Sequence, residues 1–161
     1  MEHKMRRFKQ LLSQEETKQI LTGSSSGVLS LVDAEGIPYG VPLSFAYDGI
    51  RSLYFHSAVN GHKVEAIQAH PQASFCIISQ DEIKPEEFTT YFRSVIVQGR
   101  LSIVKEPEEI IKGLQLLGNK YAPGIDSTAE IAQSLAHVLV FKLDIENITG
   151  KEALELVRQR K

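Results

Sequence analysis

The chain has 161 residues, 42% of them hydrophobic and 24% charged, with a formal net charge of −2. That is one domain with one buried core, and it excludes a disordered chain, a collagen or a disulfide scaffold. Residues 1–10 sum to +3 and residues 151–161 to +2, so the body between them carries −7 and offers a poor surface to nucleic acid. No apolar run approaches the roughly 20 residues of a membrane span. The basic start, Met1 to Arg7, has no apolar stretch behind it, so no signal peptide is expected. The single cysteine, Cys76, cannot form an internal bridge, which points to a reducing cytoplasm.

In chain order, Ser13 with Glu16 reads as a capping box opening a helix to about Leu21, with Gly23 ending it. Residues 28–32 read as a strand, 33–36 as a turn and 37–47 as a second strand. Asp48-Gly49 is a hairpin signal, and residues 53–56 are a third strand. Three strands so close together predict an antiparallel meander. A helix follows Asn60-Gly61, with Val64 and Ile67 on its buried stripe and Pro71 closing it. Residues 73–78 are a fourth strand, 80–88 an acidic loop, and 94–104 a long fifth strand with period-2 alternation. Pro107 starts a helix whose apolar stripe is Ile110, Leu114, Leu117 and Tyr121. Ser127 with Glu130 reads as a second capping box, for a helix to about Leu135. Residues 137–145 are the last strand, with Leu139, Phe141, Leu143 and Ile145 facing inward. The expected fold is mainly β with peripheral helices: a single domain over 1–161 built on a six-stranded antiparallel split β-barrel, with 1–10 and 152–161 as basic tails.

Three features carry chemistry. In the second strand Val41, Leu43 and Phe45 share one face, while Gly40, Pro42, Ser44 and Ala46, all small, share the other. A face without bulk admits a flat ligand or a closely packed helix, and Pro42 suits an edge. Next, the third strand ends in Phe55-His56-Ser57, and a helix opens at Gly61-His62-Lys63. Free amides and the helix dipole favour an anion there, Lys63 adds a charge and Ser57 a donor. The bland alternative is that Asn60 only caps the helix and Lys63 is only solvated. Third, Arg93 and Ser94 lead into the long strand and suit a phosphate or carboxylate. Glycine-rich phosphate loops and metal-ligand spacing are absent from the sequence, and Gly23-Ser24-Ser25-Ser26-Gly27 fits Gly-x-Ser-x-Gly in letters only, as a serine linker after a helix and not a strand–turn–helix elbow. Cys76 is expected to pack as a small hydrophobe, and Asp81, Glu82, Glu86 and Glu87 to be solvated.

Pro38-Tyr39-Gly40-Val41-Pro42-Leu43-Ser44-Phe45, Tyr54-Phe55-His56-Ser57-Ala58, Gly61-His62-Lys63 and His70-Pro71, in this order, resemble the flavin-binding split-barrel superfamily of pyridoxamine 5′-phosphate oxidase. Arg93-Ser94-Val95 and Ile148-Thr149-Gly150-Lys151 are similar to its nitroimidazole-resistance branch. The resemblance implies FMN, held at the interface of a homodimer, with no nucleic-acid or membrane partner. It assigns the ring edge to the backbone of Pro42, Leu43 and Ser44, the ribityl chain and ring to Phe55, His56 and Ser57, and the phosphate to Lys63. Arg93 and Ser94 would reach in from the partner. His56 would lie near the substrate, as the one catalytic candidate. Relatives often carry a cysteine shortly before Tyr-x-Arg-Ser, where Glu87-Phe88-Thr89-Thr90 stands here. The implied activity is FMN-dependent reduction of a small acceptor such as a nitroaromatic. The alternatives are a flavin-binding or sensing module without turnover, or the same barrel holding haem or a deazaflavin.

Overall fold

The computed structural model of the chain describes residues 3–160. Met1, Glu2 and Lys161, the outermost residues of the expected basic tails, lie outside the described residues. Helix α1 (Gln14–Gly23) opens on the expected capping box: the Ser13 hydroxyl accepts the Glu16 N–H at 3.2 Å, and the Glu16 carboxylate accepts the Ser13 N–H at 2.9 Å. Strands β1 (Gly27–Val32) and β2 (Pro38–Leu43) form a hairpin. The Asp33 carboxylate ties its turn by accepting the N–H groups of Glu35 and Ile37.

The expected second strand is two strands. β2 stops at Leu43, and β3 (Ala46–Tyr47) pairs instead with β4 (Ser52–Ala58), so the predicted three-strand meander does not form. Phe45 and Ala46, on either side of the change of partner, are both buried. The chain turns at Ser44 and Phe45, and the Phe45 ring drops edge-on against Phe75 at 4.9 Å.

The remaining elements are α2 (His62–Ala69), β5 (Gln72–Lys84), β6 (Thr89–Ile103), α3 (Pro107–Tyr121), α4 (Thr128–Ser134), β7 (Val138–Glu152) and α5 (Leu154–Gln159). The sheet is antiparallel throughout, in the order β2-β1-β5-β6-β7-β4-β3. Its two edge strands, β2 and β3, are joined by only Ser44 and Phe45, so the sheet must curl until its edges nearly meet. This is the expected split barrel, with seven strands because the second is broken.

Three segments are more regular than their sequence predicts. The acidic stretch 80–88 is mostly hairpin: residues 80–84 pair with 89–93 around a turn at Pro85–Glu87. β7 runs on to Glu152, pairing Ile148, Thr149, Gly150 and Lys151 with β6. Near the ends, Leu156 of α5 is buried, as are Gln10 and Glu152, whose backbone carbonyl accepts the Gln10 side-chain amide at 2.9 Å. At α4, by contrast, Ser127 makes no cap hydrogen bond; Asp126 accepts the Thr128 N–H instead.

The core fills the barrel with Leu29, Phe45, Phe55, Phe75, Phe141 and Leu143 among others, as the β7 alternation predicts. A smaller cluster lies outside it, where Tyr54, Val104 and Val140 pack under Ile110 and Leu114 of α3. Gly113 permits that approach, since a Cβ there would run into the Tyr54 ring. Leu117 of the predicted stripe is buried, whereas Tyr121 stays 42% exposed. Among the described residues, no helix is long and apolar enough to cross a membrane.

Candidate functional site

The break between β2 and β3 creates a seam. The last rungs between β3 and β4 are Tyr47 with Leu53 and Ala46 with Tyr54. Continuing that register by two residues sets Ser44, in the break, opposite His56 of β4, where the strands part. Leu43 and Pro42 then follow on one lip, Ser57 and Ala58 on the other. The seam closes again where the Tyr39 ring meets the His62 imidazole edge-on, with centroids 4.5 Å apart. The extended part of the β2 lip, from Tyr39 to Leu43, rises about 13 Å at roughly 3.3 Å per residue. Lys63 follows His62 at the far end. Of the sequence-predicted residues, Pro42 and Leu43 lie on β2, Ser44 in the break, His56 and Ser57 on β4, and Lys63 in the first turn of α2, the elements that border the seam.

The β2 lip has little side-chain bulk. Gly40, Pro42 and Ser44 are exposed, and Val41 and Leu43 pack toward the core. Ala46 departs from the predicted small face: it is buried, so that face ends at Ser44. Among the described residues β2 has no strand on its second side, which tolerates the missing N–H of Pro42 and leaves backbone groups free along the seam. On the other lip, Phe55 is fully buried, stacked on Phe141 at 5.0 Å and edge-on to Phe75. Its ring is withdrawn from the seam, and only its backbone is available to a ligand. His56 is exposed, and the Ser57 hydroxyl donates to the Ala58 carbonyl at 2.9 Å.

At the seam's end α2 begins at Gly61, whose φ of +143° suits glycine. Asn60 does not cap the helix, and no side chain accepts its leading amides. The Val64 and Glu65 N–H groups share the Gly61 carbonyl, and Lys63 is half-buried beside them. The positive end of the helix is therefore open to an anion. Asp33 lies alongside, with its Oδ2 3.6 Å from His62 Nε2.

Arg93 and Ser94 are not brought to this seam. β6 sits three strands in from either edge. The Arg93 Nε donates to Glu152 at 3.1 Å, and Arg160 binds the same carboxylate at 2.8 Å. Glu152 is buried, and the two guanidiniums supply the ion pairs and hydrogen bonds that a buried carboxylate needs. Among the described residues, no three His, Cys, Asp or Glu side chains cluster as metal ligands. A cavity of about 310 Å³ lies elsewhere, between α1 and the end of β7, lined by Leu12, Thr17, Lys18, Arg51 and Ile148 among others.

Two residues that the sequence did not mark as functional touch the seam's origin. The Tyr121 hydroxyl accepts the Phe45 N–H at 2.9 Å and lies 2.6 Å from the Ser25 carbonyl, to which it donates. The Lys120 ammonium donates to the Phe45 carbonyl at 2.9 Å and sits 3.7 Å above the Phe45 ring. Burial pushes this ammonium down to about 8. The only trace in the sequence is Tyr121 closing the apolar stripe of α3, with nothing to distinguish its hydroxyl.

Among curated proteins none matches the chain. Solved structures do. A candidate 5-nitroimidazole antibiotic resistance protein from Bacteroides thetaiotaomicron has a TM-score of 0.76 at 22% identity, over 88% of this chain and 86% of that one. An FAD- and haem-binding protein from Mycobacterium smegmatis has 0.75 at 22%, over 91% and 74%. An FAD-binding protein from Mesorhizobium loti has 0.63 at 27%, over 89% and 96%. These likenesses place the fold among split barrels. Residues 13–152 match the family described as pyridoxamine 5′-phosphate oxidase, so the chain belongs to that family, the one its motifs resemble.

Proposed function

From that membership we propose that the chain binds FMN along the seam, pairs as a homodimer, and acts as an FMN-dependent oxidoreductase on a small acceptor such as a nitroaromatic. The observation that carries this reading is the seam itself: the unpaired edge of β2, with an uncapped helix N-terminus and Lys63 at α2. The FAD-binding protein from Mesorhizobium loti lends the flavin part support. FMN is preferred because the seam ends at Tyr39 and His62, next to a single cationic tip that suits a terminal monophosphate.

Bound flavin supplies the hydride or electron transfer, and the protein supplies binding, orientation and electrostatics. The free backbone of residues 42–44 holds the ring edge. The backbone of Phe55, with His56 and Ser57, forms the opposite wall. Lys63 and the first amides of α2 hold the phosphate. His56, exposed beside Ser44 at the mouth, is the residue placed to hold or deliver a proton to an acceptor.

The homodimer reading is supported by the outer face of the sheet. Strand registers align Pro42, Val28, Cys76, Ile96 and Thr149 in one row across five strands. Val28 and Ile96 in that row are 42% and 44% exposed, and neighbouring Ile78 is 66% exposed. Such a contiguous apolar face fits an interface. It runs from the seam to Ser94, which pairs with Ile78. A second copy on this face is the route by which Ser94 and the free side of Arg93 reach a seam.

The test is the absorption spectrum of freshly purified protein, with the released cofactor weighed by mass spectrometry. Oxidised-flavin bands and the mass of FMN support the reading. Released FAD, haem or a deazaflavin overturns its cofactor. Colourless monomer that ignores added FMN overturns it entirely. Reduction of the bound flavin by NAD(P)H, followed by stopped flow, then separates an enzyme from a module that only stores or senses FMN.

A further inference from the structure

A strand that breaks leaves backbone groups without ladder partners, and buried ones must be satisfied elsewhere. Phe45 stands at such a break, between β2 and β3, with its side chain fully buried. Both its backbone groups are satisfied from α3: the N–H by the Tyr121 hydroxyl at 2.9 Å, the carbonyl by the Lys120 ammonium at 2.9 Å. Tyr121 also fastens the break to the chain entering β1, through Ser25. The ammonium over the Phe45 ring adds a cation–π contact.

The geometry points to Lys120 and Tyr121 as positioning residues of the flavin site: by locking Phe45 they set where residues 42–44 leave the barrel, and hence the width of the seam and its affinity for flavin. This rests on the proposed flavin reading. Neither residue lies on a lip of the seam. Each acts through Phe45, one residue from Ser44. The earlier turns of α3 make a different contact: Ile110 and Leu114 pack on the Tyr54–Val140 cluster, whereas both α3 hydrogen bonds to the Phe45 backbone come from Lys120 and Tyr121.

The test compares Tyr121→Phe and Lys120→Met with Leu114→Ala, a variant of the same helix that loosens its packing and leaves Phe45 untouched. Two readouts are taken on the full chain: the dissociation constant for added FMN, and amide hydrogen exchange over residues 43–46. Tyr121→Phe is expected to weaken FMN binding about tenfold, the scale of one displaced hydrogen bond, and to speed exchange over 43–46. Leu114→Ala is expected to lower the melting temperature at least as much with FMN affinity unchanged. Wild-type affinity in Tyr121→Phe and Lys120→Met overturns the positioning role. So does equal loss of affinity in all three variants, which would mark a merely structural effect. A wild-type protein that binds no FMN overturns the flavin reading and this role with it, and that result is recognised before any variant is made.

Discussion

The outer surface of the barrel has two contrasting faces. Over β4 and β7 the face is covered by α3: Tyr54 and Val140 are 2% and 1% exposed, and Glu109 bridges the Tyr54 hydroxyl and the Lys142 ammonium at its rim. Over β1, β5 and β6 the apolar row of Val28, Ile96 and Ile78 is bare. Both faces carry β-branched residues at period 2, so local pattern does not distinguish them. The difference is that one face receives a helix from its own chain, and in the proposed dimer the other receives a second chain. On the dimer proposal, a residue of the same type matters to folding on one face and to assembly on the other.

The largest expected effect tests that contrast directly. Val140→Asp buries an unpaired carboxylate under α3 and costs about 4 kcal/mol or more, read as loss of soluble folded protein or a collapsed urea midpoint. Ile96→Asp on the bare face is expected to change the stability of the single chain by about 0.5 kcal/mol or less, yet to shift the protein to an 18.0 kDa monomer in analytical ultracentrifugation. A stable dimer of Ile96→Asp would place the interface elsewhere.

The seam offers two sharper cuts. Ser44→Phe fills the unobstructed lip and is expected to give folded, colourless protein that takes up no FMN at concentrations saturating the wild type. A yellow Ser44→Phe variant would move the ring off residues 42–44. Lys63→Ala is expected to weaken FMN binding by about 1.5–3 kcal/mol, the worth of a charge-assisted hydrogen bond, with unchanged melting of the flavin-free protein. Unaltered affinity by fluorescence titration would remove Lys63 from the phosphate.

The smallest effect concerns the covered face alone. The Lys142 ammonium, with help from the Tyr54 hydroxyl, holds the Glu109 carboxyl below its ordinary value of 4.5. A carboxylate with a lowered folded-state value stabilises the fold fully above its unfolded value, and that contribution fades as pH falls through the folded value. Glu109→Gln is therefore expected to cost about 1 kcal/mol near neutral pH, as a rim ion pair does, with the deficit shrinking below pH 4.5. A deficit constant across that range in urea titrations would show that the ion pair contributes nothing.

Much of the local structure was legible. The capping box at Ser13, the turn at Asp48 and the inward alternation of β7 are all short-range signals, and each appears as expected. The small face of β2 and the glycine-led tip of α2 were legible too, because both depend on residue size at adjacent positions. The break at Ser44 and Phe45 was not. Val41, Leu43 and Phe45 continue a strand pattern in type, and the departure is a change of partner, from β1 before Ser44 to β4 after Phe45, which no local pattern reports. The hairpin through the acidic stretch was hidden for a related reason: its side chains are mostly exposed and the ladder is held by backbone, which composition does not report. Nothing local in the sequence announces that Glu152, 59 residues away, takes the Nε of Arg93.

By itself the sequence determined most of the strands and helices, which side of each is apolar, and, through the order of its motifs, the family. Those properties depend on neighbours a few positions apart. Only the tertiary structure decided which strands lie side by side, that two edges joined by two residues leave a seam, and that α3 reaches back to hold the break. A period of two tells a strand which face to bury and is silent on its partner. That choice is made by contacts between residues far apart in the chain, formed only when the whole barrel closes.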